Sequence, residues 1–324
     1  MQKTLSVISL PSIRRNAEKI KSLAQGAKFF AVVKADGYGH GAEEVSRYIE
    51  DIADGFCVAI IEEGIALRVA GISKQILVLT PPQDGYDAAR AKAYNLTLTV
   101  NSEYTAKLIS GLPCHIKVNT GMNRHGCNVE KLPHILKQLP KESVEGVYSH
   151  FFAPESDIAS ESQFTLFQRA VKVVKQVNPN ATAHISASGG LLRGGKYILE
   201  GVRCGILLYG YAPSGFSNSG FEKALKVYAR RTQITPFIGG GVGYNFADKN
   251  YKSLCVYRCG YADGFFRTVP LGEKTLCMDA FLSEGGEKLK CVMDDADEYA
   301  KRCKTISYEV LTSVTKRSER IYER

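Results

Sequence analysis

The 324-residue chain has no Cys-x-x-Cys pair, no long apolar run and no block of like charge. Each absence narrows the class. Nine cysteines lie scattered; Cys255 and Cys259 stand four apart, with no second pair or His pair nearby to complete a zinc site. An odd, dispersed set reads as reduced thiols of a cytoplasmic protein rather than a disulfide framework. No apolar run approaches the roughly 20 residues that span a bilayer. Residues 1–16 carry no long apolar stretch, and Pro11 interrupts what there is, so no signal peptide is expected. The net charge is +9, from 42 basic and 33 acidic residues, but the basic residues are dispersed; the densest group is Lys226–Arg231. This argues against nucleic acid and membrane partners and leaves an anionic small ligand.

Two textures alternate through the first two thirds. Short apolar or β-branched runs read as buried strands over Ala27–Lys34, Phe56–Ile61, Gln75–Thr80, Leu96–Val100, His115–Asn119, Val144–His150, Ala183–Ser186 and Val202–Leu208. Helical spacing lies between them. Ile13, Ala17, Ile20 and Leu23 share a face that stops at Gly26; Phe164, Phe167, Val171 and Val174 do the same before Asn178-Pro179. Eight strands alternating with helices suggest an α/β fold, a TIM-type (β/α)8 barrel over residues 10–223. On texture alone a doubly wound open sheet stays open. After Lys223 the pattern changes to strand-like runs at Leu225–Ala229, Ser253–Arg258 and Thr305–Leu311 without regular helices between them. With residues 1–9, residues 224–324 are expected to form a smaller, mostly β domain.

The most informative string runs from Ala31 through Lys34-Ala35-Asp36-Gly37-Tyr38-Gly39-His40 to Gly41. A lysine closing an apolar barrel strand stands at the mouth where barrel enzymes keep their chemistry. Partly desolvated there, it can lose its proton and form a Schiff base. In isolation, it is equally an ordinary lysine in a Gly-rich turn. The whole string resembles the cofactor-lysine motif of the alanine racemase family, fold-type III enzymes that use pyridoxal phosphate.

The resemblance extends through the chain. His115-Ile116-Lys117-Val118-Asn119-Thr120-Gly121-Met122-Asn123-Arg124 is similar to the family's strand end; it implies that Arg124 holds the substrate carboxylate and that Lys117 is a candidate for carbamylation. From residue type alone both are solvated charges as readily. Ser149-His150-Phe151 resembles the family's Thr-His-Phe, implying that His150 packs by the cofactor ring. In His184-Ile185-Ser186-Ala187-Ser188, Ser188 would bind the phosphate, and Ala187 stands where an asparagine is usual. Arg203-Cys204-Gly205-Ile206 implies an arginine facing the pyridine nitrogen. Having no acceptor, it would keep that nitrogen unprotonated and disfavour transamination. Gly205, Ile206 and Tyr38 would complete the cofactor contacts.

In the β domain, Gly260-Tyr261-Ala262-Asp263-Gly264 matches a family string and implies Tyr261 as the second catalytic base, opposite Lys34; a plain β-turn fits the same letters. Cys277-Met278-Asp279 and Thr305-Ile306-Ser307-Tyr308-Glu309-Val310 imply Met278 and Tyr308 on the substrate side. No metal is expected. Gly239-Gly240-Gly241-Val242-Gly243 precedes no helix-forming segment and is a weak nucleotide loop. The chain departs from the family in having only fifteen residues between Tyr261 and Cys277, where relatives carry several dozen, so the β domain is shortened. The resemblance implies racemisation between L- and D-alanine in a cytoplasmic homodimer with shared sites. A racemase for serine or another small amino acid would carry the same motifs, and a pyridoxal-phosphate-binding protein with little turnover is the reading the shortened domain leaves open.

Overall fold

The computed structural model describes residues 4–218 and 220–324. The chain divides into two units: residues 13–37 and 42–222 form one, and residues 4–12, Tyr38–Gly41 and Lys223–Arg324 form the other. Strands are numbered along the chain, β1 being Leu5–Ser9.

The first unit holds eight parallel strands: β2 (Lys28–Val32), β3 (Gly55–Val58), β4 (Gln75–Val78), β5 (Leu98–Val100), β6 (Cys114–Lys117), β7 (Val144–Tyr148), β8 (Thr182–His184) and β9 (Gly201–Cys204). They hydrogen-bond in the orders β4-β3-β2-β9 and β5-β6-β7-β8. Parallel bridges from Leu77 to Thr97 and from Ala187 to Arg203 join the two groups at both seams and close the expected (β/α)8 barrel. The strands read as continuous apolar runs because both faces are covered; every residue of β3 is buried. Each run was expected to be longer than the strand. Ile61 instead opens the helix Ile61–Val69, and Ile206–Tyr209 forms a 3₁₀ turn. Those residues are buried as a strand's would be, and burial carries no period over so short a run.

The helices pack by their apolar stripes. Ile13, Ala17 and Ile20 of Leu10–Leu23 are buried, while Leu23, which ends the stripe, is exposed. In Asp157–Val177, Phe164, Phe167, Ala170 and Val174 face inward and Ser156 caps the first turn by accepting from the Ala159 amide.

In the second unit, β10 (Leu225–Pro236) is the long central strand of the order β14-β13-β10-β1-β16, with β15 also on β10. The others are β11 (Gly241–Val242), β12 (Asn245–Phe246), β13 (Ser253–Arg258), β14 (Phe281–Ser283), β15 (Leu289–Met293) and β16 (Glu319–Glu323). β11 and β12 form a hairpin at the glycine run, which removes the nucleotide-loop reading.

Two expectations fail here. The segment Thr305–Leu311, expected as a strand, enters the helix Ser307–Val314, and the helix Ala296–Cys303 precedes it. Ile306, Tyr308 and Val310 alternate as a strand would. Burial instead falls on Val310, Leu311 and Val314, which share a helical face, while Ile306 is exposed. Asp295 starts the preceding helix by accepting from the Asp297 and Glu298 amides.

Candidate active site

After β2 the backbone turns left-handed. Ala35, Asp36 and Gly37 have φ of 52°, 53° and 61°. The Gly37 amide bonds the Val33 carbonyl at 2.8 Å, and Asp36 Oδ1 accepts from the Ala42 amide at 2.9 Å. Glu63 clamps the turn: one carboxylate oxygen accepts from the Ala35 amide at 2.7 Å and the other from Ala59 at 2.7 Å. Lys34 thus projects from a segment held on both sides. It is half-buried, and burial, then the nearby Arg124 charge, hold its ammonium below the usual lysine range, with Glu63 opposing.

Lys117 closes β6 and is buried; burial and the charges of Arg203, Arg124 and Lys34 lower its pKa far below a free lysine's. Arg124 is exposed and makes no hydrogen bond or ion pair among the described residues, so its donor fork is free for an anion. Arg203, on β9, is fully held. Nη1 donates to His184 Nδ1 at 2.6 Å and to the His184 carbonyl at 2.8 Å; Nη2 donates to the Ser149 carbonyl at 2.6 Å and faces His150 Nδ1 at 3.4 Å. Burial and then Arg203 hold His150 and His184 well below the usual histidine range, so both rings are neutral near pH 7.

The ends of β8 and β9 meet where the Arg203 amide bonds the Ser186 carbonyl at 2.9 Å. Two helical turns start there, Ser188–Arg193 and Ile206–Tyr209, and Ser188 Oγ accepts from the Leu207 amide at 3.5 Å. Ser188, Gly205 and Ile206 are all buried.

The remaining candidates, Tyr38, Tyr261, Met278 and Tyr308, belong to the second unit. The rings of Tyr38 and Tyr308 lie 6.0 Å apart, and burial pushes Tyr308 up to about 12. Tyr261 and Met278 are exposed, and Tyr261 lines a cavity of about 280 Å³ with Phe265, Phe266, Ser313 and Lys316. The 260–264 turn is built by close approach. A Cβ at Gly260 would sit 2.3 Å from the Met278 carbonyl, and one at Gly264 2.2 Å from that of Ser313. Asp263, buried, accepts from the Gly260 amide at 2.9 Å and from Arg258 at 2.8 Å, with Arg317 at 3.5 Å. The Ala262 amide bonds the Met278 carbonyl at 2.9 Å, so the tyrosine turn and the Met278 segment are one assembly.

The model of the alanine racemase N-terminal domain matches residues 8–213, about two thirds of the chain. The chain belongs to the alanine racemase family. Among its relatives, the alanine racemases of Streptococcus agalactiae and Carboxydothermus hydrogenoformans are each 32% identical to it, covering 98% and 99% of this chain and 98% and 100% of their own. The solved alanine racemase of Clostridium difficile 630 superposes with a TM-score of 0.89 at 27% identity, over 99% of this chain and 96% of that one. The alignment with the streptococcal member runs 365 positions against 324 residues here, so at least 41 positions fall opposite gaps in this chain.

Within this family fold, the structure gathers Lys34, Lys117, Arg124, His150, Ser188, Arg203, Gly205 and Ile206 in the barrel unit. Three residues with no role assigned from sequence join them. Glu63 holds the Lys34 turn, and His184 and His115 back Arg203. Glu63 follows a strand by five residues, a spacing that reads only as a helix-capping glutamate. His184 was visible inside a motif, but its contact with His115 spans 69 residues of sequence.

Proposed function

We propose that this protein is a pyridoxal-phosphate enzyme that interconverts L- and D-alanine with two bases, Lys34 and Tyr261. The observation that carries the reading is the half-buried Lys34, whose amine is held below the usual lysine range beside the unpartnered Arg124. The charges suit the group. The Arg124 and Arg203 charges lower both Lys34 and Lys117, Lys34 also lowers Lys117, and the Glu63 carboxylate opposes them at Lys34. A phosphate and a substrate carboxylate would neutralise such a set. Lys34 would hold the cofactor covalently, Ser188, Tyr38 and the Gly205 and Ile206 amides its phosphate, and Arg203 its ring nitrogen. When bound, pyridoxal phosphate withdraws electrons from the substrate Cα and makes its hydrogen acidic.

The chain's own groups then divide the work. Arg124 orients the substrate carboxylate, with Lys117, carbamylated, steadying it. Lys34 Nζ takes the Cα proton from the D-enantiomer and Tyr261 Oη takes it from the L-enantiomer, one on each face. A phenol of reference pKa about 10 needs help near neutrality. His150 accepts from Arg203 on Nδ1 and keeps a hydrogen on Nε2, the donor that would favour a Tyr261 phenolate. Met278 and Tyr308 would border the substrate path. A homodimer in which Tyr261 serves the partner's Lys34 is part of this reading, as is a cytoplasmic location, which the nine free cysteines support. No helix among the described residues is long and apolar enough to cross a membrane.

The relatives named alanine racemase support alanine over serine. The test is borohydride reduction of the purified protein followed by peptide mapping, with racemisation assays on alanine, serine and other small amino acids. Label on Lys34 and fastest turnover of alanine are expected. Label on another lysine, or no bound cofactor, would end the reading; fastest turnover of serine would end the assignment to alanine.

A further inference from the structure

We propose that His115 is a positioning residue for this reaction: by accepting a hydrogen bond from His184 it fixes which nitrogen of His184 faces Arg203, and so aims the guanidinium. The inference rests on Arg203 being the residue that faces the cofactor ring.

A guanidinium only donates. His184 Nδ1, 2.6 Å from Arg203 Nη1, therefore presents a lone pair. A neutral imidazole with a bare Nδ1 carries its hydrogen on Nε2. That Nε2 lies 2.8 Å from His115 Nδ1, which must then accept, leaving the His115 hydrogen on its own Nε2. The opposite tautomer of His184 would set two N–H groups against each other at Arg203, whichever nitrogen of His115 carries its hydrogen. A protonated His184 would meet Arg203 with a hydrogen on both sides. Donation thus runs one way, from the guanidinium on β9 through His184 on β8 to a single acceptor nitrogen on β6.

The packing around the pair removes other solutions. His184 stacks on Tyr148, parallel within 2° at 5.1 Å, and on Phe30, at 29° and 5.3 Å, contacts that restrict its ring. Phe30 also meets His115 edge-on at 88°. Both histidines are buried. Room for the acceptor comes from β7: a Cβ at Gly146 would sit 2.6 Å from His115 Nδ1. Burial, then Arg203, push His115 down to about 3, in keeping with a neutral ring.

Two substitutions separate hydrogen bonding from packing. His115→Phe keeps a ring and loses the acceptor; His115→Gln loses the ring and offers a carbonyl oxygen to His184 Nε2–H. If His115 acts as an acceptor, Gln should retain kcat within about threefold. Phe should lose roughly tenfold in kcat with little change in KM and raise the ratio of transamination to racemisation, as outer partners of a catalytic group do. Better activity in Phe than in Gln would reduce His115 to a packing role and overturn the proposal. Side-chain ¹⁵N NMR of the histidine-labelled wild-type holoenzyme, which depends on neither variant folding, reads the six histidines directly. His115 and His184 should both be neutral with hydrogen on Nε2. A hydrogen on Nδ1 of either, or a protonated His184, overturns the proposal. The same spectrum of cofactor-free protein separates the outcomes: failure to bind pyridoxal phosphate would sink the proposed function while leaving these tautomers readable.

Discussion

Lys117 Nζ lies 4.3 Å from the centroid of the Tyr148 ring, and among the described residues it meets no carboxylate. A ring face attracts an ammonium by only about 0.5–2 kcal/mol, too little to keep a buried charge next to Arg203, Arg124 and Lys34. Burial and these cations therefore press the amine towards its neutral form, the form that reacts with carbon dioxide. Exposed to ¹³C-labelled carbon dioxide, the protein should show one carbamate resonance that Lys117→Met abolishes. In CO₂-free buffer the same depressed pKa makes stability depend on pH. The unfolded chain binds this proton up to about pH 10.4 and the folded chain releases it well below. Stability therefore rises with pH between the two values, by up to about 1.4 kcal/mol per unit. Urea unfolding at pH 7 and pH 9 should show Lys117→Met with the flatter response; an unchanged slope would mean that the buried amine stays charged.

Tyr261→Phe should separate the two faces. Exchange of the α-hydrogen of L-alanine with deuterated solvent should fall at least a hundredfold, while exchange from D-alanine, served by Lys34, should fall far less. Equal losses in both directions would contradict one base per face.

Arg203→Glu should change the course of the reaction. A carboxylate at that place favours the protonated ring nitrogen, which strengthens the electron sink. Racemisation should drop and side transamination rise, measured as pyruvate formed per turnover. The substitution also strips donors from the carbonyls of Ser149, His184 and Ile185, so a lower Tm should accompany it. An unaltered ratio of the two products would show that Arg203 does not face the ring nitrogen.

Shared sites predict complementation. Lys34→Ala and Tyr261→Phe proteins, each inactive, should regain about a quarter of the wild-type sites after random subunit exchange, because half of the dimers are then mixed and each has one intact site. A monomer with full activity, or proven mixed dimers with none, would rule the shared arrangement out.

The barrel was legible because strands buried on both faces leave continuous apolar runs, and helices against them leave a 3.6-residue stripe. Strand ends were not, since Ile61 and Ile206–Tyr209 are as buried as strand residues although they lie in helical turns. The Ser307–Val314 helix departs from its sequence pattern for a related reason: polarity alternates over residues 305–310, while burial falls on Val310, Leu311 and Val314 along one helical face. The single residues Lys34 and Arg203 could be found because strings surround them. His115 opens one such string and Glu63 lies in none; the roles of both escape the sequence because their partners are brought to them by closure of the barrel and by the meeting of adjacent loops.

The left-handed passage at Ala35 and Asp36 has a consequence for how this protein could be improved. Holding a non-glycine residue there costs roughly 1–2 kcal/mol, whereas glycine would give back about 0.4–1 kcal/mol through the greater freedom of the unfolded chain. The balance favours Ala35→Gly in heat resistance. Yet the Cβ that makes the turn unfavourable also narrows the conformations open to the backbone beside Lys34. A laboratory selection for thermal tolerance would drift towards glycine at this position, and one for turnover would drift back. One methyl group sets the two aims against each other.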